Sequence, residues 1–506
     1  GLVTENWFDL NASRYTASST LQRMELLKTG YMGTLSLGWD NYLFLELTGR
    51  QERSSTLKDQ SFFYPSANLS FLFSNAFRMP AWWNHGKLRL SYGVVGNAPE
   101  TYAANIIYEQ GSDNGFTWNY VPSSWGNANI RPEKKYEYEI GFESKFLNNR
   151  LGFDVSYYNN RVKDQILSTP QPSTSGVKYV LMNVGEVANE GWDISVSATP
   201  VLTKNFRWDL TANYGIYRNK VVKLADGVPY LEISNIGGGG AKIQAVEGHP
   251  MGDIYVQVPQ MNENGEYLVS DKGLYMNQTE LQRVGNINPD GVGGLFSSFS
   301  YKNIFLDFSI DFRIGGDVIN EMYQYSTASG LTPESLQFRD TEHGGLSYYY
   351  PGNNNASGVP VQVDPSLGAG PNGETVYHDG VILPGVVAST GEKNTRIIPA
   401  GYYYNQTYNW GTQPEQLTYR HSVFDNSYVK LRELTIGYQF PEKLISKLGM
   451  TRLSVSVFGR NLFYFYKALK NYDAESSVGT SWASQAVVGG STTATRNFGV
   501  SLRASF

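Results

Sequence analysis

The end of the chain, residues 496–506, alternates strictly between apolar and polar side chains. The apolar set is Phe498, Val500, Leu502, Ala504 and Phe506, and the residues between them are small or polar. Successive side chains of a β-strand point to opposite faces, so the stretch predicts a strand with one apolar face and one wet face. Taken alone, this pattern fits either the closing strand of a membrane β-barrel or the last strand of a soluble sandwich.

The same alternation recurs through the chain from Tyr31 onward, whereas residues 1–30 offer only a possible strand near residues 7–10. About thirteen such stretches of roughly ten residues follow, which is the length a tilted strand needs to cross a bilayer. The side chains predicted to face hydrocarbon include Phe142, Trp208, Leu210, Phe308, Ile310, Leu502 and Phe506. Those predicted to face the lumen include Glu143, Asp209, Asp307, Asp311 and Arg503.

The connections between these stretches alternate in length. The short ones are 40–41, 76–86, 148–149, 201–205, 302–303 and 441–450. The long ones are 51–65, 96–132, 161–188, 219–291, 315–427 and 464–494. Outer-membrane barrels have short periplasmic turns and long extracellular loops, and a propeller or sandwich does not sort its loops in this way. The sequence therefore predicts an all-β, antiparallel transmembrane barrel, with Phe506 at the periplasmic rim.

The composition excludes several other classes of protein. No run of residues approaches 18 apolar positions, so the sequence contains no candidate transmembrane helix. With no cysteine there is no disulfide or thiolate chemistry, and a net charge of −5 with scattered Lys and Arg argues against a nucleic-acid partner. The five histidines lack metal-ligand spacing, and the glycines at 237–240 lack the spacing of a phosphate-binding loop. We therefore predict no catalytic site, no cofactor and no metal centre.

Two kinds of loop segment are candidates for binding. The turn at 262–266 could hold calcium through its oxygen atoms, but the residues favour a plain hairpin turn. The longest loop is rich in aromatic residues, which together with neighbouring amide side chains could bind a sugar or a peptide. The aromatic candidates are Tyr348, Tyr349, Tyr350, Tyr403, Tyr404, Tyr408 and Trp410. The alternative is that these rings pack loop against loop, or against a partner protein that covers them.

Short blocks of sequence follow one another in a recognisable order: 87–97, 183–187, 247–252, 285–289, 427–438 and 459–463. In this order the blocks resemble those of SusC/RagA-type TonB-dependent transporters. The resemblance implies a barrel of about 22 strands, of which this chain would supply the last thirteen. An N-terminal plug and about nine strands would then lie outside the chain. Residues 1–30 would be a loop with a partial strand, and residues 31–506 the strands and their connections.

The resemblance also implies a function and a set of partners. Such a protein would import oligosaccharides or oligopeptides across the outer membrane of a Gram-negative, Bacteroidota-like bacterium, with a SusD-like surface lipoprotein as a lid. Its other partners would be the TonB complex, the plug-bearing part of the same transporter and outer-membrane lipid. A complete passive channel of about fourteen strands is the alternative. An outer-membrane enzyme is disfavoured because no catalytic set is visible in the sequence.

Overall fold

The computed structural model describes residues 6, 23–58, 61–113, 116–171, 173–409, 419–490 and 494–506. Its main feature is a sheet of thirteen antiparallel strands, each paired with its neighbours in chain order. The strands are β1 (Lys28–Trp39), β2 (Leu43–Ser54), β3 (Ser61–Phe71), β4 (Trp83–Asn97), β5 (Glu133–Phe146), β6 (Leu151–Lys163), β7 (Glu186–Leu202), β8 (Phe206–Lys223), β9 (Gly291–Tyr301), β10 (Ile304–Ile314), β11 (Tyr428–Gln439), β12 (Arg452–Lys467) and β13 (Asn497–Ser505). The prediction of thirteen antiparallel strands is confirmed. The possible strand at residues 7–10 lies outside the described residues.

The strand register keeps each set of side chains on one face of the sheet. Leu210 pairs with Ser297, Ser297 with Phe308, and Phe308 with Leu434. Directly paired residues lie on the same face. Following the pairs in this way from β4 to β13 places Phe142, Trp208, Leu210, Phe308, Ile310 and Leu502 on one face, and Phe506 follows the last strand residue. Glu143, Asp209, Asp307, Asp311 and Arg503 lie on the other face.

The tight turns follow from residues that tolerate a left-handed backbone. Asp40 and Asn41 have φ of 46° and 56°, and Asn148 and Asn149 have φ of 56° and 62°. Asn and Asp adopt this conformation more readily than other non-glycine residues, and two such residues in succession form the turn that matches the twist of a hairpin. These turns fix the register of the strands on both sides, because a slip of one residue would reverse the two faces.

The short connections lie at one rim of the sheet and the long ones at the other, but one predicted connection has different bounds. The predicted long loop 51–65 is wrong, because β2 continues to Ser54 and β3 begins at Ser61, which leaves residues 55–60. Sequence alternation lapses there, yet the backbone pairing continues. The extended strand ends instead pack under the next long loop, where Leu57, Phe62 and Ile130 share a small buried core. The remaining connections on this rim are 98–132, 164–185, 224–290, 315–427 and 468–496.

The long connections contain secondary structure of their own. Their strands are Glu109–Asp113, Phe116–Tyr120, Ser124–Trp125, Ile166–Pro170, Tyr179–Asn183, Tyr230–Ile236, Ala241–Val246, Asp253–Val256, Leu268–Val269, Gln282–Asn286, Asp317–Asn320, Leu346–Tyr349, Val361–Gln362, Val376–Val381, Val386–Val387, Ile398–Pro399, Val423–Asp425 and Val487–Val488. The α-helices of the described residues are Phe73–Ala76 and Glu442–Ile445 on the short-turn rim, and Glu321–Ala328 and Ala400–Tyr408 in the longest loop. None of the helices that the structure describes is both long and apolar enough to cross a membrane.

Three long connections, 224–290, 315–427 and 468–496, pack together into a layer that we call the loop cap. Ile243, Ile254 and Ile319 are completely buried in its core, together with Tyr419 and Val487. These residues come from all three connections. Burying one such apolar side chain contributes about 1.5–3 kcal/mol, so the loop cap has the core of a small domain. It is an ordered layer at one rim of the sheet.

Candidate functional site

Three of the predicted binding aromatics are buried inside the loop cap. Tyr348 is 1% exposed, and its hydroxyl donates to Asp379 Oδ1 at 3.1 Å. Tyr404 is also buried, and its hydroxyl donates to the carbonyl oxygen of Glu334 at 2.8 Å. Tyr408 packs against Tyr404 with the ring centroids 6.0 Å apart. The structure therefore gives these three rings a packing role within the loop cap, and in this arrangement none of them offers a free face to a ligand.

The other predicted aromatics have different surroundings. Tyr349, Tyr350 and Tyr403 are half-buried. Burial raises the pKa of Tyr403 to about 12, so its hydroxyl stays protonated at neutral pH. Trp410 lies outside the described residues. Ligand or partner contact stays a prediction for Tyr349, Tyr350, Tyr403 and Trp410.

The turn at 262–266 is closed by its own hydrogen bonds. Asn262 Oδ1 accepts from the backbone N–H groups of Asn264 and Glu266, both at 3.0 Å. Its amide nitrogen donates to Glu266 Oε2 at 2.9 Å. These bonds build a plain turn without help from an ion. In the part of the chain that the structure describes, no group of three or more carboxylate or histidine side chains is placed to hold a metal ion.

A buried carboxylate, that of Asp253, organises the base of the loop cap. Arg283 donates two hydrogen bonds to it, from Nε to Oδ2 at 2.5 Å and from Nη2 to Oδ1 at 2.9 Å. Asn286 Nδ2 donates to Oδ1 at 2.8 Å, and His249 Nδ1 lies 3.1 Å from Oδ2. A charged group that is buried away from water needs an opposite charge and hydrogen bonds to offset its lost hydration. Arg283, Asn286 and His249 surround the carboxylate and provide them. We call these four residues the Asp253 cluster.

Residues next to the Asp253 cluster join the loop cap to the main sheet. The backbone N–H of Met251 donates to Asn219 Oδ1 of β8 at 2.7 Å, and Asn288 Nδ2 donates to the Met251 carbonyl at 2.6 Å. The backbone N–H of Asn286 donates to Asp317 Oδ2 at 3.0 Å. Burial raises the pKa of Asp317, because it disfavours the charged carboxylate. The cap and the strand ends are therefore connected by specific bonds.

A second anchor ties the last long connection to the polar face of the sheet. Lys430 of β11 is buried, and its Nζ lies 2.5 Å from Glu475 Oε2. Arg432 Nη1 donates to the same oxygen at 2.7 Å, and Arg432 Nη2 donates to Asp311 Oδ2 at 2.6 Å. Burial favours the neutral form of Glu475, but the hydrogen bonds from Arg432 and Lys430 prevail and lower its pKa. The connection thus folds inward over the polar face.

Below this anchor, the polar face forms an open pocket of about 690 Å³. Carboxylates of Asp154, Asp193 and Asp311 line it, with the guanidinium of Arg313 beside them. Asp154 is held by Arg89, whose Nη2 donates to Oδ1 at 2.5 Å. Such a surface of paired charges and hydroxyls suits a polar chain segment or ligand that lies against the sheet.

A separate hairpin in the connection 98–132 presents aromatic side chains to solvent. Its strands, Glu109–Asp113 and Phe116–Tyr120, pair only with each other among the described strands. Phe116, Trp118 and Tyr120 alternate along the second strand and so share a face, and Phe116 is 77% exposed. A Cβ at Gly111 would lie 2.7 Å from the Trp118 ring, so the glycine gives the indole room to lie across the hairpin. We call this element the aromatic hairpin.

Comparison with known proteins shows what the first half of the chain is similar to. Residues 5–246 match the family model described as TonB dependent receptor-like, beta-barrel. In this region the chain is similar to the β-barrel of TonB-dependent receptors. The match spans the strands β1 to β8 of the thirteen-strand sheet, in agreement with the resemblance to SusC/RagA-type transporters.

Relatives and solved structures show a similarity of the same kind. TonB-dependent receptor P3 of Formosa agariphila is 22% identical over 494 residues, which cover 88% of this chain and 42% of the relative. TonB-dependent receptor SusC of Bacteroides thetaiotaomicron is 27% identical over 253 residues, or 44% of this chain and 24% of that protein. The RagAB peptide transporter matches in fold with a TM-score of 0.67 at 18% identity, over 96% of this chain and 48% of that one. The chain thus spans about half the length of these proteins or less.

Sequence reasoning missed the roles of the Asp253 cluster and the aromatic hairpin. Two blocks that carried the family resemblance, 247–252 and 285–289, contribute His249 and Asn286 to the cluster, but they gave no hint that they meet. The hairpin has a local signal, since Phe116, Trp118 and Tyr120 alternate with Thr117 and Asn119. The sequence predicts 96–132 as one long loop, because the stretch lies between two strands of the barrel wall.

Proposed function

We propose that this chain forms the later part of the barrel of an outer-membrane, TonB-dependent importer of oligosaccharides or oligopeptides. The observation that carries the proposal is the thirteen-strand sheet with one apolar face, one polar face and an ordered loop layer on a single rim. The family match and the likeness to SusC of Bacteroides thetaiotaomicron support it. The chain's own part would be to enclose the passage and to carry loops that meet the cargo.

The proposed orientation follows from the two faces. The apolar face, with Phe308 and Leu502, would contact lipid. On β13 its side chains Phe498, Val500 and Leu502 are largely exposed. The polar face, with Asp311 and its partners, would line the lumen against a plug supplied by the rest of the transporter. Among the strands that the structure describes, none pairs with the outer edge of β1 or of β13. Unpaired backbone groups cost several kcal/mol each in hydrocarbon. They would pair with further strands of the same barrel.

The proposed lid is a SusD-like lipoprotein on the rim of the long connections. Support comes from the aromatic hairpin, which exposes three rings on the face that carries Phe116. Exposed aromatics in one patch are typical of a protein contact. Transport through TonB would require the plug, which lies outside this chain. We propose no catalytic activity, since two carboxylates of the polar face, Asp154 and Asp311, are engaged by Arg89 and Arg432.

The test uses the intact transporter in its own cells. Uptake of a fluorescent hexasaccharide and of a fluorescent decapeptide is measured in normal cells, in cells without TonB and in cells without the lipoprotein. We expect one of the two probes to enter, and its uptake to stop without TonB. Uptake that persists without TonB would support a passive channel. A stable, monodisperse pore assembled from residues 1–506 alone would support the same alternative.

A further inference from the structure

The apolar face of the sheet becomes cationic where it meets the rim of the long connections. Phe142 lies on this face, and so do Tyr138 and Lys134 of the same strand, because side chains alternate along β5. Tracing the strand pairs from β5 to β8 in the same way gives five cations on this face: Lys134, Arg161, Lys163, Arg218 and Lys220. We call these five residues the rim patch. The four neighbouring strands make the patch about 15 Å wide.

Three lysines of the rim patch lack a counter-charge. Lys134 and Lys163 are directly opposite each other in the register of β5 and β6. Like charges at paired positions on one face destabilise a sheet unless an anion lies between them. Among the side chains that the structure describes, no carboxylate forms an ion pair with Lys134, Lys163 or Lys220. Lys163 and Lys220 are also exposed, so an external anion can reach them.

The carboxylates near the rim patch are already engaged. Glu186 Oε1 accepts a hydrogen bond from Arg161 Nη1 at 2.8 Å. Glu190 Oε2 accepts one from the Tyr157 hydroxyl at 3.2 Å, and Asp290 lies 3.4 Å from Arg218. Five cations against these three carboxylates leave two positive charges without compensation.

An exposed apolar area adjoins the rim patch on the same face. Ile140 pairs in register with Tyr157, and Tyr157 pairs with Trp192 on the next strand. The rings of Tyr157 and Trp192 lie 4.9 Å apart. Tyr138, Ile140 and Trp192 are all half-exposed. The face therefore presents uncompensated cations at the rim and apolar side chains towards the middle of the sheet, which is the pattern that an anionic amphiphile complements.

We infer that the rim patch binds a phosphorylated glycolipid of the outer leaflet, of the lipid A class. The inference rests on the proposed function, because it takes the apolar face to contact lipid and the long connections to lie outside the cell. A phosphate group would lie between Lys134 and Lys163, where it removes their mutual repulsion, and would be within reach of charges such as Lys220. The acyl chains would lie along Ile140 and Trp192. An acidic soluble protein would use the cations but leave this apolar area uncovered.

The test measures lipid binding to the intact transporter by native mass spectrometry in an uncharged detergent. The probes are bisphosphorylated lipid A, the same lipid without its phosphates, phosphatidylglycerol and inorganic phosphate. The test variant is Lys134→Gln with Lys163→Gln, and the matched control is Lys87→Gln with Lys135→Gln, two lysines of the polar face. Each lysine at an anionic lipid surface is worth about fivefold in affinity, so we expect the test variant to bind bisphosphorylated lipid A about 25-fold more weakly. The control should bind it as the unaltered protein does.

Two further readouts keep the inference falsifiable if the test variant assembles poorly. Lys220→Gln alone, on another strand, should weaken binding of bisphosphorylated lipid A about fivefold. For the unaltered protein, binding of this lipid should weaken between about 0.05 and 0.5 M salt, whereas binding of the lipid without phosphates should be weak throughout.

Several results would overturn the inference. They are normal binding of bisphosphorylated lipid A by the test variant or by Lys220→Gln, equally tight binding of the lipid without phosphates or of phosphatidylglycerol, displacement of the lipid by inorganic phosphate, and an equal loss in the polar-face control. Loss of the surface lipoprotein from the test variant with lipid binding unchanged would assign the rim patch to a protein contact instead. TonB-dependent uptake by the unaltered protein, measured separately, would in each case leave the proposed import function standing.

Discussion

Removing the carboxylate of Asp253 should loosen the base of the loop cap. In Asp253→Ala, Arg283 and Asn286 lose the acceptor that takes three of their hydrogen bonds. Breaking a buried ion pair by deleting one partner costs about 3–5 kcal/mol. Arg283 is half-exposed and regains water, so we expect the lower part of that range, about 3 kcal/mol. That corresponds to an increase of about 100-fold in the opening equilibrium of the cap.

The measurement is native-state hydrogen exchange on the intact transporter, followed peptide by peptide. Amides of the strands Ala241–Val246 and Gln282–Asn286 should exchange faster in Asp253→Ala, while amides of β9 and β10 keep their protection. The control is Asp271→Asn, because Asp271 lies in the same connection but its carboxylate accepts a hydrogen bond from the exposed Ser389 instead of an arginine. Unchanged protection of the two cap strands would refute the reasoning, since it would mean that the Asp253 cluster does not stabilise the loop cap. Equal loss in the control would point to general loosening instead.

Three further predictions test the faces, the anchor and the rim. Phe308→Arg should lower the free energy of unfolding by about 2–4 kcal/mol and reduce the yield of folded, heat-modifiable barrel in bilayers. Asp307→Leu should be tolerated. The reverse result would mean that the strand register is shifted by one residue. The pKa of Glu475 is lowered in the folded chain. Its ion pairs therefore stabilise the fold fully at pH values above its ordinary pKa of 4.5, and this stabilisation is lost as the pH falls through the lower pKa of the folded chain. Proteolysis of the connection 468–496 should therefore rise in acid, and Glu475→Gln should abolish that pH dependence; an unchanged pH profile would contradict the anchor. The double variant Trp118→Ser and Phe116→Ser should reduce the amount of co-purified lipoprotein about tenfold, whereas Tyr179→Ser should not change it. If the double variant retains as much lipoprotein as the unaltered protein, the aromatic hairpin is not its contact.

The barrel wall was readable from the sequence because its determinants are local. Alternation has a period of two residues, so the face on which Phe308 and Ile310 lie can be predicted without knowing the partner strands. Turn residues such as Asp40 and Asn41 mark the hairpins, since few other residues accept a left-handed backbone. The order of the strands then follows from chain order alone, because each connection joins neighbours.

The loop cap was decided only by tertiary contacts. Ile243, Ile319 and Val487 meet in one core although they come from three connections that are far apart in the chain. The Gly-, Asn- and Tyr-rich stretches around them have no period that marks a buried side, so Tyr348 and Tyr404 looked like exposed binding residues. The charge pairs Asp253–Arg283 and Lys430–Glu475 likewise depend on where separate loops fold back. Alternation specifies a strand and its faces, whereas a core built between loops arises from packing that no single stretch encodes.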